Sequence, residues 1–310
     1  MDTEKTFTLE DLDRLEFPGT ALAVLGAPVR HSLSPAMHNA ALAVLADSDA
    51  RFADWAYYRF EVPASELAAA LPRFHAKGFA GLNLTVPHKV LALETVTELS
   101  GDALAMGAVN TLKRAESGWV GYNTDGYGLE RGVESMLDVH LEGSVVMLAG
   151  SGGAARAAAV QCLRSGCPKL YLGNRSPKRL AGLCEILAAM EAQSTVETFS
   201  LQALPADLPA NGIFINATSL GLRREDPSPV EVGALPSAWS VYDMVYNPPE
   251  TRLLAAARAR GMNCANGLSM LVHQGARALE IWTDCPVDAV VMQSAAKAAI
   301  AGNTGGEPDA

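Results

Sequence analysis

The stretch Ser144 to Arg164, SVVMLAGSGGAARAAAVQCLR, constrains what this chain can fold into more than any other. Val145 to Ala149 is an apolar run of strand length that enters Gly150-Ser151-Gly152-Gly153, and an alanine-rich helical segment follows from Ala154. In a strand–turn–helix unit of this kind the glycines let the backbone turn sharply and approach a pyrophosphate. Free N–H groups at the helix N-terminus then hold its charge. A glycine-rich loop alone is weak evidence, but a second polar signal stands roughly twenty residues further on, where the next strand ends. After that strand, Lys169 to Gly173, comes Asn174-Arg175-Ser176-Pro177-Lys178-Arg179. A site for NAD places an acid here to bind the ribose hydroxyls, whereas a site for NADP places cations that pair with the extra phosphate. This turn has no acid and three cations, so the cofactor reads as NADP, with Arg175 and Arg179 as phosphate partners. The competing reading is that the cations only solvate a loop ahead of a helix over 177–190.

The remaining composition narrows the partners. At 310 residues and 49% hydrophobic content the chain is long enough for about two packed domains. A net charge of −10 argues against a nucleic-acid surface, which needs a surplus of Lys and Arg on one face. The same charge obliges any site for an anion to build its own local positive potential. The N-terminus is acidic and interrupted, unlike a signal or transit peptide, and no apolar run reaches membrane-spanning length. Five scattered cysteines without metal-ligand spacing fit reduced thiols in a cytoplasmic protein, and no metal is expected.

In chain order, an N-terminal extension, short helix or partly disordered, precedes an apolar strand at Ala21 to Leu25. Gly26 to Pro35 follows, GAPVRHSLSP, with Ser34 placed to cap a helix over 36–45. Ser32 and Ser34, at alternate positions ahead of a helix start, can hold a carboxylate; each also has a plain local role. A strand at 55–62, a helix at 65–77 closed by Gly78, and the short strand Gly81-Leu82-Asn83-Leu84-Thr85 lead to Val86-Pro87-His88-Lys89. A lysine at the head of a helix is electrostatically disfavoured, which points either to a solvated side chain or to a catalytic lysine held close to an acid. A helix over 90–99, a strand from 107 to 113, a turn at Ser117-Gly118 and the segment Gly121-Tyr122-Asn123-Thr124-Asp125-Gly126 come next. Three strand ends thus offer polar side chains ahead of helices, and in an open α/β sheet such ends lie at one edge, where ligands bind. Beyond the glycine turn, strands at 212–218 and 241–246 and a helix at 251–260 precede a last amphipathic helix running from about Gly267 to Trp282 and a polar tail from Gly302. The alternation predicts an α/β protein with two parallel-type sheets.

The segments GAPVRHSLSPAMHNAA, NLTVPHK, GAVNT, GYNTDG, AGSGGAARA, NRSPKR, NATSLGL, DMVYNPPETRLL and GLSMLVHQGA occur in the order and approximate spacing found in shikimate dehydrogenases, and from Ala21 to about Trp282 the chain resembles that family. The resemblance implies two α/β domains with the site in the cleft between them. A discontinuous substrate domain, 1–124 plus 267–310, would carry a mostly parallel sheet, and a Rossmann-type NADP domain would span 125–266. It implies NADPH-dependent reduction of 3-dehydroshikimate to shikimate, a step toward aromatic amino acids, by a cytoplasmic monomer or homodimer. Ser32 and Ser34 fall on the carboxylate-binding positions, Thr85, Asn110 and Gln274 on those for the ring hydroxyls, Tyr246 on a further substrate-facing position, and Lys89 and Asp125 on the catalytic pair. The implied cofactor set is Gly150, Ser151, Gly152, Gly153 and Ala154, then Asn174, Arg175, Ser176 and Arg179, then Thr218, Ser219, Leu220 and Gly267. Ser151, Leu222 and His273 depart from the family's common residues in ways that touch fine specificity. Retention of Ser34 and of the Asn174-Arg175 turn favours shikimate with NADP over the related quinate dehydrogenases that use NAD. A quinate/shikimate dehydrogenase and a non-catalytic metabolite sensor are the alternatives.

Overall fold

The computed structural model describes residues 2–190 and 192–303. Contacts divide the chain into two units: residues up to Thr124 together with those from Gln274 onward, and Asp125–His273. Gly267 to His273, placed with the substrate domain from sequence, therefore group with the second unit.

The first unit carries β1 (Thr6–Phe7), β2 (Thr20–Gly26), β3 (Trp55–Glu61), β4 (Gly81–Leu84), β5 (Glu98–Leu99), β6 (Thr111–Ala115) and β7 (Gly118–Tyr122). They form one sheet in the order β1-β3-β2-β4-β6-β7-β5. The sheet is mixed rather than fully parallel, because β6 runs antiparallel to both β4 and β7. A tight hairpin joins β6 to β7, and so short a link can only reverse the chain, whereas a parallel neighbour needs a crossover.

The expected helix over 90–99 does not form. The helix covers only His88–Leu91, followed by a 3-10 turn at Ala92–Glu94 and then β5. Thr95-Val96-Thr97 is a β-branched run that disfavours helix, and the Thr97 N–H and hydroxyl both donate to the Trp119 carbonyl. The N-terminal extension is ordered into the sheet. β1 pairs with β3, and Thr8 and Asp11 form a reciprocal capping box on the helix Leu9–Arg14. Phe7 and Phe17 complete an aromatic core with Tyr58, Phe60, Phe74 and Phe79, the Phe60–Phe74 and Phe74–Phe79 centroids being 4.9 and 5.0 Å apart, edge to face. A further helix, Ala289–Asn303, packs on the helix Ser34–Ser48. It takes in the first residues of the expected polar tail, and 304–310 lie outside the described residues.

Trp282 lies flat over Gly81, where a Cβ would come within 2.2 Å of the indole nitrogen. That nitrogen donates to the Leu112 carbonyl at 2.9 Å, so the end of the helix Leu268–Thr283 is fixed onto β4 and β6. Beside it, fully buried His38 stacks on Tyr57 at 4.1 Å and 4°.

The second unit carries β8 (Val145–Ala149), β9 (Lys169–Gly173), β10 (Thr195–Phe199), β11 (Ile213–Asn216), β12 (Ser240–Asp243) and β13 (Cys264–Asn266). All pair in parallel in the order β10-β9-β8-β11-β12-β13. Counted from β8 this is the 3-2-1-4-5-6 order of dinucleotide-binding sheets, and the order reverses between β8 and β11. Tyr171, Phe214, Trp239 and Val241 fill its core.

Burial pulls His38 down to about 3. Its folded value lies below its ordinary 6.5, so the stability that depends on a neutral imidazole is complete above pH 6.5 and is lost as the pH falls toward 3. Between pH 8 and pH 5 this single group should remove about 2 kcal/mol of stability. Urea titrations should find that slope reduced in His38→Phe, which keeps a flat ring on Tyr57; an unchanged slope would assign the pH dependence elsewhere.

Candidate functional site

In the first unit, a hydrogen-bonded chain of side chains runs from Tyr57 to Gln274 on the helix Leu268–Thr283, beside the serine turn. The helix Ser34–Ser48 begins at Ser34 itself, and no side chain caps it. Ser34 is thus not the cap expected from sequence. Instead the Ser34 N–H donates to the Ser32 hydroxyl oxygen at 3.3 Å. Buried Arg59, on β3, donates to the Ser32 carbonyl at 3.0 Å and holds the turn from behind.

The Tyr57 phenol donates to Asn83 Oδ1 at 2.7 Å. Asn83 Nδ2 donates to the Thr111 hydroxyl at 3.0 Å and to the Asn110 carbonyl at 3.1 Å. Asn110 Nδ2 reaches the Thr124 hydroxyl at 2.9 Å and Gln274 Oε1 at 3.2 Å, while its Oδ1 accepts the Thr124 N–H at 2.8 Å. Tyr57, Asn83, Thr111, Asn110, Thr124 and Gln274 therefore belong to one connected set, and Ser32 and Ser34 lie on a separately anchored turn. Sequence reasoning missed its links Tyr57, Asn83, Thr111 and Thr124. The signal was present at Asn83, a polar residue in an otherwise apolar strand, which must find partners once buried.

Thr85 and Lys89 stand beside this set. Thr85 extends β4, its N–H donating to the Leu25 carbonyl at 3.0 Å. A Cβ at Gly26 would sit 2.4 Å from the Thr85 methyl, so glycine at the end of β2 gives Thr85 its place. Half-buried Lys89 lies in the helix His88–Leu91, whose backbone is anchored from two sides. The Lys89 carbonyl accepts the Val109 N–H at 2.7 Å, and the buried His88 ring bonds the Val62 carbonyl at 2.8 Å. Asp125, buried, opens the helix Asp125–Leu137 of the second unit, so the two residues of the expected catalytic pair belong to different units. Tyr246 also lies in the second unit, past β12, where burial pushes its phenol up.

The second unit holds the glycine corner expected to bind phosphate. Gly150 has φ +129°, and a Cβ there would meet the Ala217 carbonyl oxygen at 2.7 Å. A Cβ at Gly152 or Gly153 would meet nothing within 4 Å, so the protein's own packing leaves open space over the start of the helix Gly153–Arg164. Gly152, Gly153 and Ala154 are exposed and present first-turn N–H groups to it. At the end of β9, the Asn174 amide donates to the Ser176 carbonyl at 3.1 Å and the Ser176 hydroxyl caps the helix Pro177–Ala188. Arg175, Lys178 and Arg179 are exposed around this closed turn. The open glycine corner, the free N–H groups and a cationic turn without an acid fit a dinucleotide carrying an extra phosphate.

The third cofactor segment, Thr218 to Leu220, is shaped by buried Asn216 at the end of β11. Asn216 Oδ1 accepts from the Thr218 N–H and hydroxyl at 3.0 and 2.7 Å, and Nδ2 donates to the Leu220 carbonyl and to Asp243 Oδ1 at 3.0 and 2.8 Å. Burial pushes the Asp243 carboxyl up, opposed by hydrogen bonds from Thr251, the Val245 N–H and Asn216. Ser219 is exposed on the same loop, and Gly267 packs where a Cβ would lie 2.2 Å from the Met244 carbonyl oxygen. Among the described residues no group of three or more His, Cys, Asp or Glu is placed to hold a metal ion.

Asn216→Ala should cost about 1–3 kcal/mol in a denaturant titration, the penalty of leaving buried partners unsatisfied. It should also weaken NADPH binding about tenfold, read by nucleotide fluorescence. A stability loss with unchanged NADPH affinity would show that Asn216 does not set the loop's binding shape.

Comparisons with known proteins place the chain in a family. The model of the shikimate dehydrogenase substrate binding domain matches residues 24–112, and that of the shikimate 5′-dehydrogenase C-terminal domain matches residues 267–297. The NADP(+) shikimate dehydrogenase of Symbiobacterium thermophilum is 41% identical over 291 residues, 92% of this chain and 96% of that protein. The structure of shikimate 5-dehydrogenase from Thermus thermophilus in complex with NADP(H) and shikimate superposes with a TM-score of 0.77 at 33% identity, covering 90% of this chain and 99% of that one. Quinate dehydrogenase from Corynebacterium glutamicum in complex with NAD gives 0.79 at 29% identity, over 90% and 99%. Sequence relatives and structures alike place the chain in the shikimate dehydrogenase family.

Proposed function

We propose that this chain catalyses the reversible NADPH-dependent reduction of 3-dehydroshikimate to shikimate. The observation that carries the reading is the polar lining of the first unit, the connected set that ends in Asn110 and Gln274 together with Ser32 and Ser34 on their turn, which fits a small ring bearing a carboxylate and several hydroxyls. Gly150 to Ala154 and Thr218 to Leu220 would hold the cofactor's diphosphate and nicotinamide ends, with Gly267 leaving space beside them. Asn174, Arg175, Ser176 and Arg179 would hold its adenosine phosphate. Bound NADPH supplies the hydride that reduces the ketone carbon.

The chain's own residues do the rest. Ser32, whose oxygen already accepts the Ser34 N–H, has its hydroxyl hydrogen to give to the substrate carboxylate. Asn110, Thr85 and Gln274 orient the ring, and Tyr246 adds a further contact. Charge develops on the carbonyl oxygen as the carbon is reduced, and Lys89 donates the proton or hydrogen bond that stabilises it. Asp125 supplies the acid that a functional lysine at a helix start calls for. We place the protein in the cytoplasm as a monomer or homodimer. All five cysteines are free thiols, and among the described residues no helix is long and apolar enough to cross a membrane.

Lys89→Ala should lower kcat for shikimate oxidation by about a hundredfold to ten-thousandfold, the usual worth of a positioned acid or base. NADPH affinity should stay within about twofold, because the cofactor set excludes Lys89. Spectrophotometric initial rates and nucleotide fluorescence read the two effects. A variant retaining near-full kcat would remove Lys89 from the chemistry, and wild-type protein that binds NADPH without turnover would support a metabolite sensor instead.

A further inference from the structure

Two turns of the second unit enclose a cavity of about 360 Å³ that the proposed reaction does not use. One turn follows β11 and carries Gly221, Arg223 and Arg224; the other follows β12 and carries Pro248, Pro249 and Arg252. No residue of the proposed substrate or cofactor sets lines it. Its size falls at the lower end of the range for small-molecule sites, about 300 to 1,000 Å³. The turns are joined by backbone contacts rather than by long side chains. Gly221 has φ +106°, and a Cβ there would meet the Thr251 methyl at 2.9 Å, so the two turns touch. Asp226 Oδ2 accepts the Gly221 and Arg223 N–H groups at 3.1 and 3.0 Å and closes the first turn. The buried Thr251 hydroxyl donates to Asp243 Oδ2 at 2.6 Å and accepts the Leu254 N–H at 3.3 Å, which fixes the second.

The charge of this cavity is unbalanced. Arg223, Arg224 and Arg252 line it, and among the described residues none of the three guanidinium groups makes an ion pair. The acids that build the cavity are spent elsewhere: Asp226 on backbone N–H groups, Asp243 on Thr251, Asn216 and the Val245 N–H, and Glu250 on Arg258. In a chain with 34 acids against 24 Lys and Arg, pairing would be easy to find. Three arginines gathered at one cavity without an acid repel one another unless an anion lies between them.

We propose that this cavity binds a small phosphate monoester, its phosphoryl group held by Arg223, Arg224 and Arg252 and its carbon part lying against Pro248 and Pro249. A guanidinium fork matches two phosphate oxygens at once, and a dianion answers more than one of the three charges. The prolines give a rigid apolar wall beside them. The cavity follows two parallel strands, on the side where an open α/β sheet places ligands. It lies beyond the reversal between β8 and β11, so the monoester and NADP occupy separate places on the same unit.

Titration of the full chain with glycerol 3-phosphate tests this, read by calorimetry and phosphorus NMR at constant ionic strength. The protein is first saturated with NADP, which fills the cationic turn at Arg175. Arg223→Gln, Arg224→Gln and Arg252→Gln each remove one charge from an exposed side chain. Each should weaken glycerol 3-phosphate at least about tenfold, the loss of one charge-assisted hydrogen bond. Each should leave kcat and KM for shikimate within about twofold of wild type. Inorganic phosphate, which lacks the carbon part, should bind wild type more weakly than the monoester.

No binding by wild type, equal binding by the three variants, or equal binding of acetate at the same ionic strength would each overturn the site. Inorganic phosphate binding as tightly as glycerol 3-phosphate would overturn the monoester as its ligand.

Discussion

The carboxamide of Asn110 is the interaction on which the first unit's site depends. It is nearly inaccessible to solvent, and its two ends bind Thr124, Thr111 and Gln274 while its backbone carbonyl takes the Leu84 N–H and the Asn83 amide. Buried amide groups tolerate no missing partner, so this one residue fixes where β4, β6, the end of β7 and Gln274 on the helix Leu268–Thr283 lie relative to one another. A segment far along the sequence, at Gln274, is thus tied to the strand ends that carry Thr85 and Lys89. The site follows from satisfying these groups rather than from any single catalytic motif.

The second unit is governed by close approach instead. Gly150 must be glycine because Ala217 leaves no room for a side chain and because φ is positive, and Gly173 must be glycine because Phe199 lies where its Cβ would be, at 2.4 Å. Gly152 and Gly153 carry no such requirement from the protein. Packing thus separates glycines that the fold requires from glycines that it leaves open, and the proposed cofactor role falls on the open ones.

Much of this was legible in the chain. The β8 to β9 unit with its glycine turn and cationic turn was read from residues 144–179 alone, because strand, turn and helix signals there are local. What failed was likewise physical. Ser34 looked like an N-cap because a serine precedes a proline and a helix, yet the helix begins at Ser34 itself and no side chain caps it. The helix over 90–99 was lost to a β-branched run that found the Trp119 carbonyl, 22 residues away from Thr97. The N-terminal extension read only as a short helix or partly disordered segment, since β1 gains its place only by pairing with β3. Tyr57 and Asn83 were hidden for the same reason: their meaning lies in partners from other segments.

The proposed function gives one unit the acidic, hydroxylated ring and the other the phosphate of NADP. That division of labour is tested most directly by the ratio of kcat/KM for the purified wild-type protein across four pairs, shikimate or quinate with NADP or NAD. Shikimate with NADP should exceed every other pair by at least about tenfold, the worth of one well-placed charge or hydrogen bond. Quinate with NAD as the best pair would contradict the roles given to both the serine turn and the cationic turn.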